Sequence, residues 1–381
     1  MSDAISPFTI SIPEDVLDDL RQRLARTRWP DAVDGAGWDY GADLGYVKEL
    51  CDYWREKFDW RAQEAALARH PHFTTPVDGQ RLHFLHARSP EPGAFPLILT
   101  HGWPGSVLEF QKILPLLTDP AAHGGRAEDA FHVVCPSMPG YGFSGPTTQR
   151  GWDTQRIAEA EIELMRRLGY ARYGAQGGDW GAIVTTQIGR LDPEHCAGIH
   201  LNMLVGLPED PSNLSEKEKQ WVADFQLFQA EGRGYQEIQG TKPQTLAFGL
   251  HDSPAGLAAW IVEKFRAWSD CGGDVESRFS KDELLANITL YWVTGTIHSS
   301  TRLYYEVRKS GRVGFTQGRV EVPTGAAVFP KEIYKTPRAW AEKHYHVTHW
   351  TELPRGGHFA AMEEPELLAE DVRSFFRTVR G

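Results

Sequence analysis

Gly177-Gly178-Asp179-Trp180-Gly181 lies between a short strand pattern at 170–175 and an apolar helical pattern that starts at Ala182-Ile183-Val184. Glycines on both sides of an acidic residue allow a turn too tight for other side chains. A strand can then pass directly into a helix, with Asp179 pushed out at the corner. Such a corner needs a buried strand before it and a helix that packs back on the sheet. The flanking chain supplies both, repeatedly. Pro96-Leu97-Ile98-Leu99-Thr100 is a continuous apolar run of the kind found in strands covered on both faces, and runs at 131–135 and 198–204 follow. Helical patterns at 108–117, 154–168 and 181–191 alternate with them. This order predicts an α/β protein with a mostly parallel sheet and right-handed crossovers.

The alternation is not uniform. Residues 1–90 precede the first core strand and hold helix patterns at 13–27 and 44–58, then a hairpin pattern turning at Asp78-Gly79. They read as an N-terminal extension packing on the core. Residues 91–204 form the first part of the core. From 205 to 309 the chain is helical and aromatic with no clear strand, as expected of an inserted cap. Residues 310–381 return to the core, with strands at 320–329 and 346–352 and a last helix at 365–379.

Charge and cysteine usage narrow the function. With 40 basic and 51 acidic residues the net charge is -11, and no basic block is present. That disfavours nucleic acid and anionic membranes as partners. Cys51, Cys135, Cys196 and Cys271 are scattered, without metal or disulfide spacing. No secretory leader and no apolar run of membrane-spanning length is present, so a cytoplasmic setting is expected. His344-x-His346-x-x-His349 has a metal-like look, but Val347 and Trp350 give the same run a strand pattern. No metal or cofactor is expected. Asn287-Ile288-Thr289 is a glycosylation sequon by pattern only.

The corner at Asp179 matches the G-x-nucleophile-x-G elbow of the α/β-hydrolase fold, with Asp where esterases carry Ser. A carboxylate attacks carbonyls poorly but can open a strained ring or displace a halide at an sp3 carbon. Either reaction leaves an ester for water to cleave. His101-Gly102-Trp103-Pro104-Gly105-Ser106 ends the first core strand, where this fold supplies one oxyanion-hole amide. The other comes from the residue after the nucleophile. The backbone amides of Trp103 and Trp180 are thereby nominated. Arg355-Gly356-Gly357-His358-Phe359 follows the last strand, and His358 is the expected base. The acid should fall between nucleophile and base in the chain. Glu332, after Val328-Phe329-Pro330-Lys331, is the candidate to orient His358, with Glu321 its competitor.

With these stretches, together with residues 252–260, 290–296, Val322-Pro323-Thr324-Gly325 and 355–361, the chain resembles the epoxide hydrolases of the α/β-hydrolase fold. The branch is the microsomal type with an N-terminal extension, and the resemblance covers nearly the whole chain. It implies conversion of an epoxide and water to a vicinal diol through an ester on Asp179. It also implies two cap tyrosines on the epoxide oxygen, which fall on Tyr235 and Tyr304, with Tyr305 leaving the register open by one residue. A phenol suits that task because it stays protonated at neutral pH. Trp103, Trp180 and Trp292 point to an apolar, aryl-type substrate. The expected partners are the small-molecule epoxide and water, with a homodimer allowed. Detoxifying, catabolic and secondary-metabolic roles fit equally. The readings that compete are a haloalkane or haloacid dehalogenase of the same fold and a non-catalytic interaction protein built on it.

Overall fold

The computed structural model describes residues 4–207, 209–312 and 317–380. Among the described residues nine strands form one sheet: β1 (Ser6–Pro7), β2 (His72–Val77), β3 (Gln80–Ala87), β4 (Phe95–Thr100), β5 (Phe131–Pro136), β6 (Tyr173–Gly177), β7 (Cys196–Leu201), β8 (Val320–Val328) and β9 (Tyr345–Glu352). Their order across the sheet is β1-β2-β3-β5-β4-β6-β7-β8-β9. The pairs from β5 through β9 are parallel, and β1, β2 and β3 join antiparallel at one edge. This is the α/β-hydrolase arrangement. The hairpin turns at Asp78 and Gly79, both at positive φ (48° and 76°), as a two-residue turn requires.

Alternation along the strands divides the core. Ile98 and Val134 face the helices Thr154–Arg167 and Asp179–Leu191, while Leu97, Leu99, Val133 and Cys135 pack toward Ile113–Thr118 and Pro365–Arg377. The helix expected at 108–117 is broken into a 3-10 turn, Val107–Phe110, and the short helix Ile113–Thr118. Pro115 has no N–H to give to the carbonyl of Gln111, so one continuous helix is disfavoured. Patterning missed the two-residue β1 and the helices Trp60–Leu67 and Arg338–His344, which are too short for a periodic signal.

Between β7 and β8 the chain makes a series of helices, among them Gly234–Thr241, Pro254–Trp268, Lys281–Thr294 and Ile297–Ser310. The extension meets this insert as well as the core. Its hairpin extends the sheet, whereas Glu14–Ala25, Leu44–Glu56 and Trp60–Leu67 lie on Pro254–Trp268 and Lys281–Thr294. Arg23 donates to the Asp252 carboxylate at 2.6 Å, and the Arg266 guanidinium stacks 4.6 Å from the Trp38 ring.

Candidate active site

Asp179 is the first residue of its helix and has φ +50°, a left-handed conformation that a side-chain-bearing residue adopts at a cost of about 1–3 kcal/mol. Close packing holds it there. A methyl group on Gly181 would fall on the Thr100 carbonyl, and one on Gly177 would strike the Gly181 carbonyl. The glycines therefore let the elbow approach β4 at backbone distance.

The Trp103 amide, just past β4, donates to Asp179 Oδ1 at 2.8 Å. Its loop is fixed from below and from above. His101 Nε2 accepts from the Met138 amide at 3.2 Å, which leaves Nδ1 to donate to the Gly102 carbonyl at 3.0 Å. Burial holds His101 down at about 4, so it stays neutral and structural. From the cap, Asn287 donates to the Pro104 carbonyl at 2.8 Å and accepts from Ser106, and Tyr291 donates to the Gly105 carbonyl at 2.7 Å. Asn287 is thus a buried clamp on the loop, not a glycan acceptor.

His358 stands in the loop after β9, and its Nε2 lies 3.4 Å from Asp179 Oδ2. Its Nδ1 meets Glu332 Oε1 at 2.7 Å, and that same oxygen accepts from the Ile333 amide at 2.7 Å. Burial works against a charge on His358. The neighbouring Glu332 charge and the bonds to Asp179 and Glu332 outweigh it and hold the imidazole well above its usual value. The competitor Glu321 is exposed on β8 and paired with Arg319 at 2.8 Å, away from His358.

Tyr235 and Tyr304 both come from the cap and are buried, with ring centroids 5.9 Å apart. Trp103 stacks on Tyr235 at 5.2 Å, and Trp180 meets Tyr304 edge-on at 4.8 Å. Burial first, and the nearby Asp179 charge with it, raises both phenols above their ordinary value, so they remain protonated. Tyr304 is the one beside Tyr235, whereas Tyr305 is half-buried with the Lys309 ammonium 5.4 Å from its ring.

A cleft of about 440 Å³ opens over Asp179, lined mainly by Trp180, Met203, Phe225, Phe228, Tyr304 and Tyr334. Of the three tryptophans expected there, only Trp180 lines it. Trp103 lies beneath, stacked on Tyr235 and lining a separate small cavity. Trp292 is outside both spaces, under the Arg23 guanidinium of the extension. Its helix Lys281–Thr294 turns Asn287 and Tyr291 toward the site, and Trp292 points elsewhere. Sequence reasoning missed Phe225, Phe228 and Tyr334 in the cleft wall and Trp268 against His358 (centroids 5.1 Å), because isolated aromatic residues in the insert and after β8 read equally well as packing. The three spaced histidines do not converge. His346 Nδ1 meets the Glu321 carbonyl and His349 Nε2 meets Asp371. Among the described residues no group of His, Cys, Asp and Glu is placed to hold a metal, and no helix is long and apolar enough to cross a membrane.

Residues 5–110 match the family described as epoxide hydrolase N terminus, and residues 96–234 match the alpha/beta hydrolase fold. A protein of Stigmatella aurantiaca, provisionally named an epoxide hydrolase, is 51% identical over 99% of this chain and 86% of its own length. Epoxide hydrolase 1 of Oryctolagus cuniculus is 41% identical over 98% of this chain and 89% of its own. The crystal structure of juvenile hormone epoxide hydrolase from the silkworm Bombyx mori superposes with a TM-score of 0.92 at 32% identity, covering 100% of this chain and 95% of that one. A nucleophile elbow under a helical insert already defines an α/β hydrolase. Within that fold, the chain belongs to the epoxide hydrolase family, whose members are hydrolases of ether bonds.

Proposed function

We propose that the chain hydrolyses an apolar epoxide in two steps, through a covalent ester on Asp179. The observation that carries this reading is the divided surrounding of one carboxylate. Oδ1 accepts the Trp103 amide at 2.8 Å, and Oδ2 lies 3.4 Å from His358 Nε2. Oδ1 is thereby fixed as the future carbonyl oxygen, and Oδ2 is the attacking atom. Oδ2 forms a bond to an epoxide carbon as the carbon–oxygen bond of the ring breaks. Tyr235 and Tyr304 hold the departing oxygen, and one phenol gives it a proton. The alkoxide is a very poor leaving group, so this donation is where the cap contributes to chemistry.

Water then attacks the Asp179 carboxyl carbon and gives a proton to His358 Nε2, which Glu332 keeps in the right tautomer. The charge that develops on Oδ1 is met by the amides of Trp103 and Trp180. Collapse breaks the ester bond to the diol oxygen, which takes the proton from His358. The carboxylic acid left on Asp179 returns its proton to the phenolate. His358 changes character at the right moment. In the resting enzyme Asp179 helps to hold its proton. Once Asp179 is an ester that charge is gone, so the imidazolium releases its proton to solvent and acts as the base, and it takes a proton back from solvent when the Asp179 carboxylate is restored.

The cleft suits an apolar, aryl-type or otherwise bulky substrate, because its walls are aromatic and its one carboxylate is the nucleophile. The four cysteines are buried and unpaired, which supports a reducing, cytoplasmic setting. The test is a single turnover with a styrene-oxide-type epoxide in 18O-labelled water. The first diol should carry only unlabelled oxygen, and the label should enter Asp179. Label in the first diol and none in the protein would mean direct attack by water and would overturn the ester.

A further inference from the structure

Behind the nucleophile lies a second space, of about 20 Å³. That is room for one water, which needs roughly 10–15 Å³ and two to four polar partners. Polar groups are at hand: Asp179, His358, Glu109, Gln176 and Asn202 all line it, against the apolar Phe110 and Ala361. Among the described residues, Asp179 alone lines both this cavity and the 440 Å³ cleft. Tyr304, one of the two phenols proposed to meet the substrate, is on the cleft side, and the histidine that activates water is on the cavity side.

Glu109 is the group the mechanism leaves unused. Ser106-Val107-Leu108-Glu109 has the spacing of a helix-capping box, and its carboxylate accepts the Ser106 amide. Capping alone would leave the carboxyl in solvent. Instead it is turned into the cavity, over Gly105, where any side chain would collide with Oε1. We propose that the Glu109 carboxyl fixes the hydrolytic water in this cavity, so that water reaches the Asp179 ester from a space separate from the substrate cleft.

The inference rests on the ester mechanism proposed above. Glu109 acts here as a positioning residue. The water gives one O–H to His358 Nε2 and the other to the Glu109 carboxyl, which leaves a lone pair aimed at the Asp179 carboxyl carbon. The O–C bond forms as the Oδ1 π pair moves onto Oδ1, and the proton goes to His358 as before. Burial, opposed by the His358 charge and reinforced by Asp179, raises Glu109 to about 8, so it is a neutral acid at pH 7. A neutral group in this place avoids setting a second negative charge against the developing oxyanion.

The test is rapid-quench kinetics on the full chain with the same epoxide, scoring ester formation and ester decay separately. Glu109→Leu should leave formation within about twofold and slow decay roughly tenfold or more, so that ester accumulates. Glu109→Gln keeps both the cap and a neutral hydrogen-bonding group, and should decay within about threefold of the parent. Ala361→Leu fills the cavity from its apolar side with Glu109 intact, and should slow decay alone. It carries the test if the Glu109→Leu protein does not fold. Normal ester decay in Glu109→Leu or Ala361→Leu would overturn the inference, as would equal slowing of both steps or a Gln variant as slow as the Leu variant. If the parent enzyme itself forms no ester, the underlying mechanism has failed instead.

Discussion

Glu332 reaches His358 through a 2.7 Å hydrogen bond between buried groups, and Asp179 is pinned by backbone contacts and by the Trp103 amide. Tyr235 and Tyr304 are held mostly by faces and edges of rings, Trp103, Trp180 and Trp268 among them. The core half of the site is therefore set by directional bonds, each with one acceptable geometry. The cap half is set by ring packing, which tolerates small shifts. The division fits the mechanism proposed above, in which attack on a carboxyl carbon demands fixed angles, whereas donation to an epoxide oxygen must follow substrates of different shape.

The comparison breaks most sharply with the largest effect. Asp179→Ala should remove diol formation down to background, and His358→Gln should form ester at the parental rate but hold it, slowing release by on the order of 10²–10⁴. Mass spectrometry of the intact protein reads both. Normal turnover by either variant would show that the directional half does not carry the reaction. On the cap side, Tyr235→Phe and Tyr304→Phe each remove one phenol and should slow ester formation by roughly tenfold to a hundredfold, with ester decay unchanged. Slowed decay in these variants would place the phenols in the second step as well.

Legibility followed the same line. The meeting of Asp179, His358 and Glu332 was readable because the fold fixes their order along the chain and their places after β6, β9 and β8, and because glycine marks the elbow and the His358 loop. Glu332 prevailed over Glu321 on that positional ground, which the 2.7 Å contact now supplies with a distance. Tyr235 and Tyr304 came only through resemblance, since no local pattern separates a catalytic phenol from a packing one among the 12 tyrosines. Trp292 misled for the same reason: composition counts rings but cannot orient them. Glu109 was hidden by its own capping spacing. The fold of the extension onto the cap could not be read either, because Arg23 and Asp252 meet across 229 positions of sequence.

Two polar links extend the contrast from the site to the frame. Asp371, in the last helix, accepts from the buried His200 Nε2 on β7 at 2.8 Å and from the half-buried His349 Nε2 on β9 at 2.9 Å. Burial opposes ionisation of Asp371, but the bonds from His200 and His349 outweigh it and depress its folded value. A depressed carboxylate contributes stability that is present above its unfolded value, about 3.9, and is lost as pH falls below that. Asp371→Asn should cost about 1–3 kcal/mol in urea unfolding at pH 7, with the gap to the parent narrowing toward pH 3. A gap constant with pH would mean that the helix is held by packing alone.

The Arg23–Asp252 pair joins extension to cap with both side chains substantially exposed, 38% and 78%. Water and salt screen such a pair, so Arg23→Ala should cost only about 0.2–1 kcal/mol, and less at high ionic strength. Part of that loss belongs to packing, because the same guanidinium covers Trp292 at 5.8 Å. A double-mutant cycle with Asp252→Ala separates the two. Coupling near zero would leave the extension attached through apolar helix contacts such as those of Leu44–Glu56 on Pro254–Trp268. Coupling well above about 1 kcal/mol would make the pair a directional latch, and the packing-only description of the cap would then fail at its outer surface.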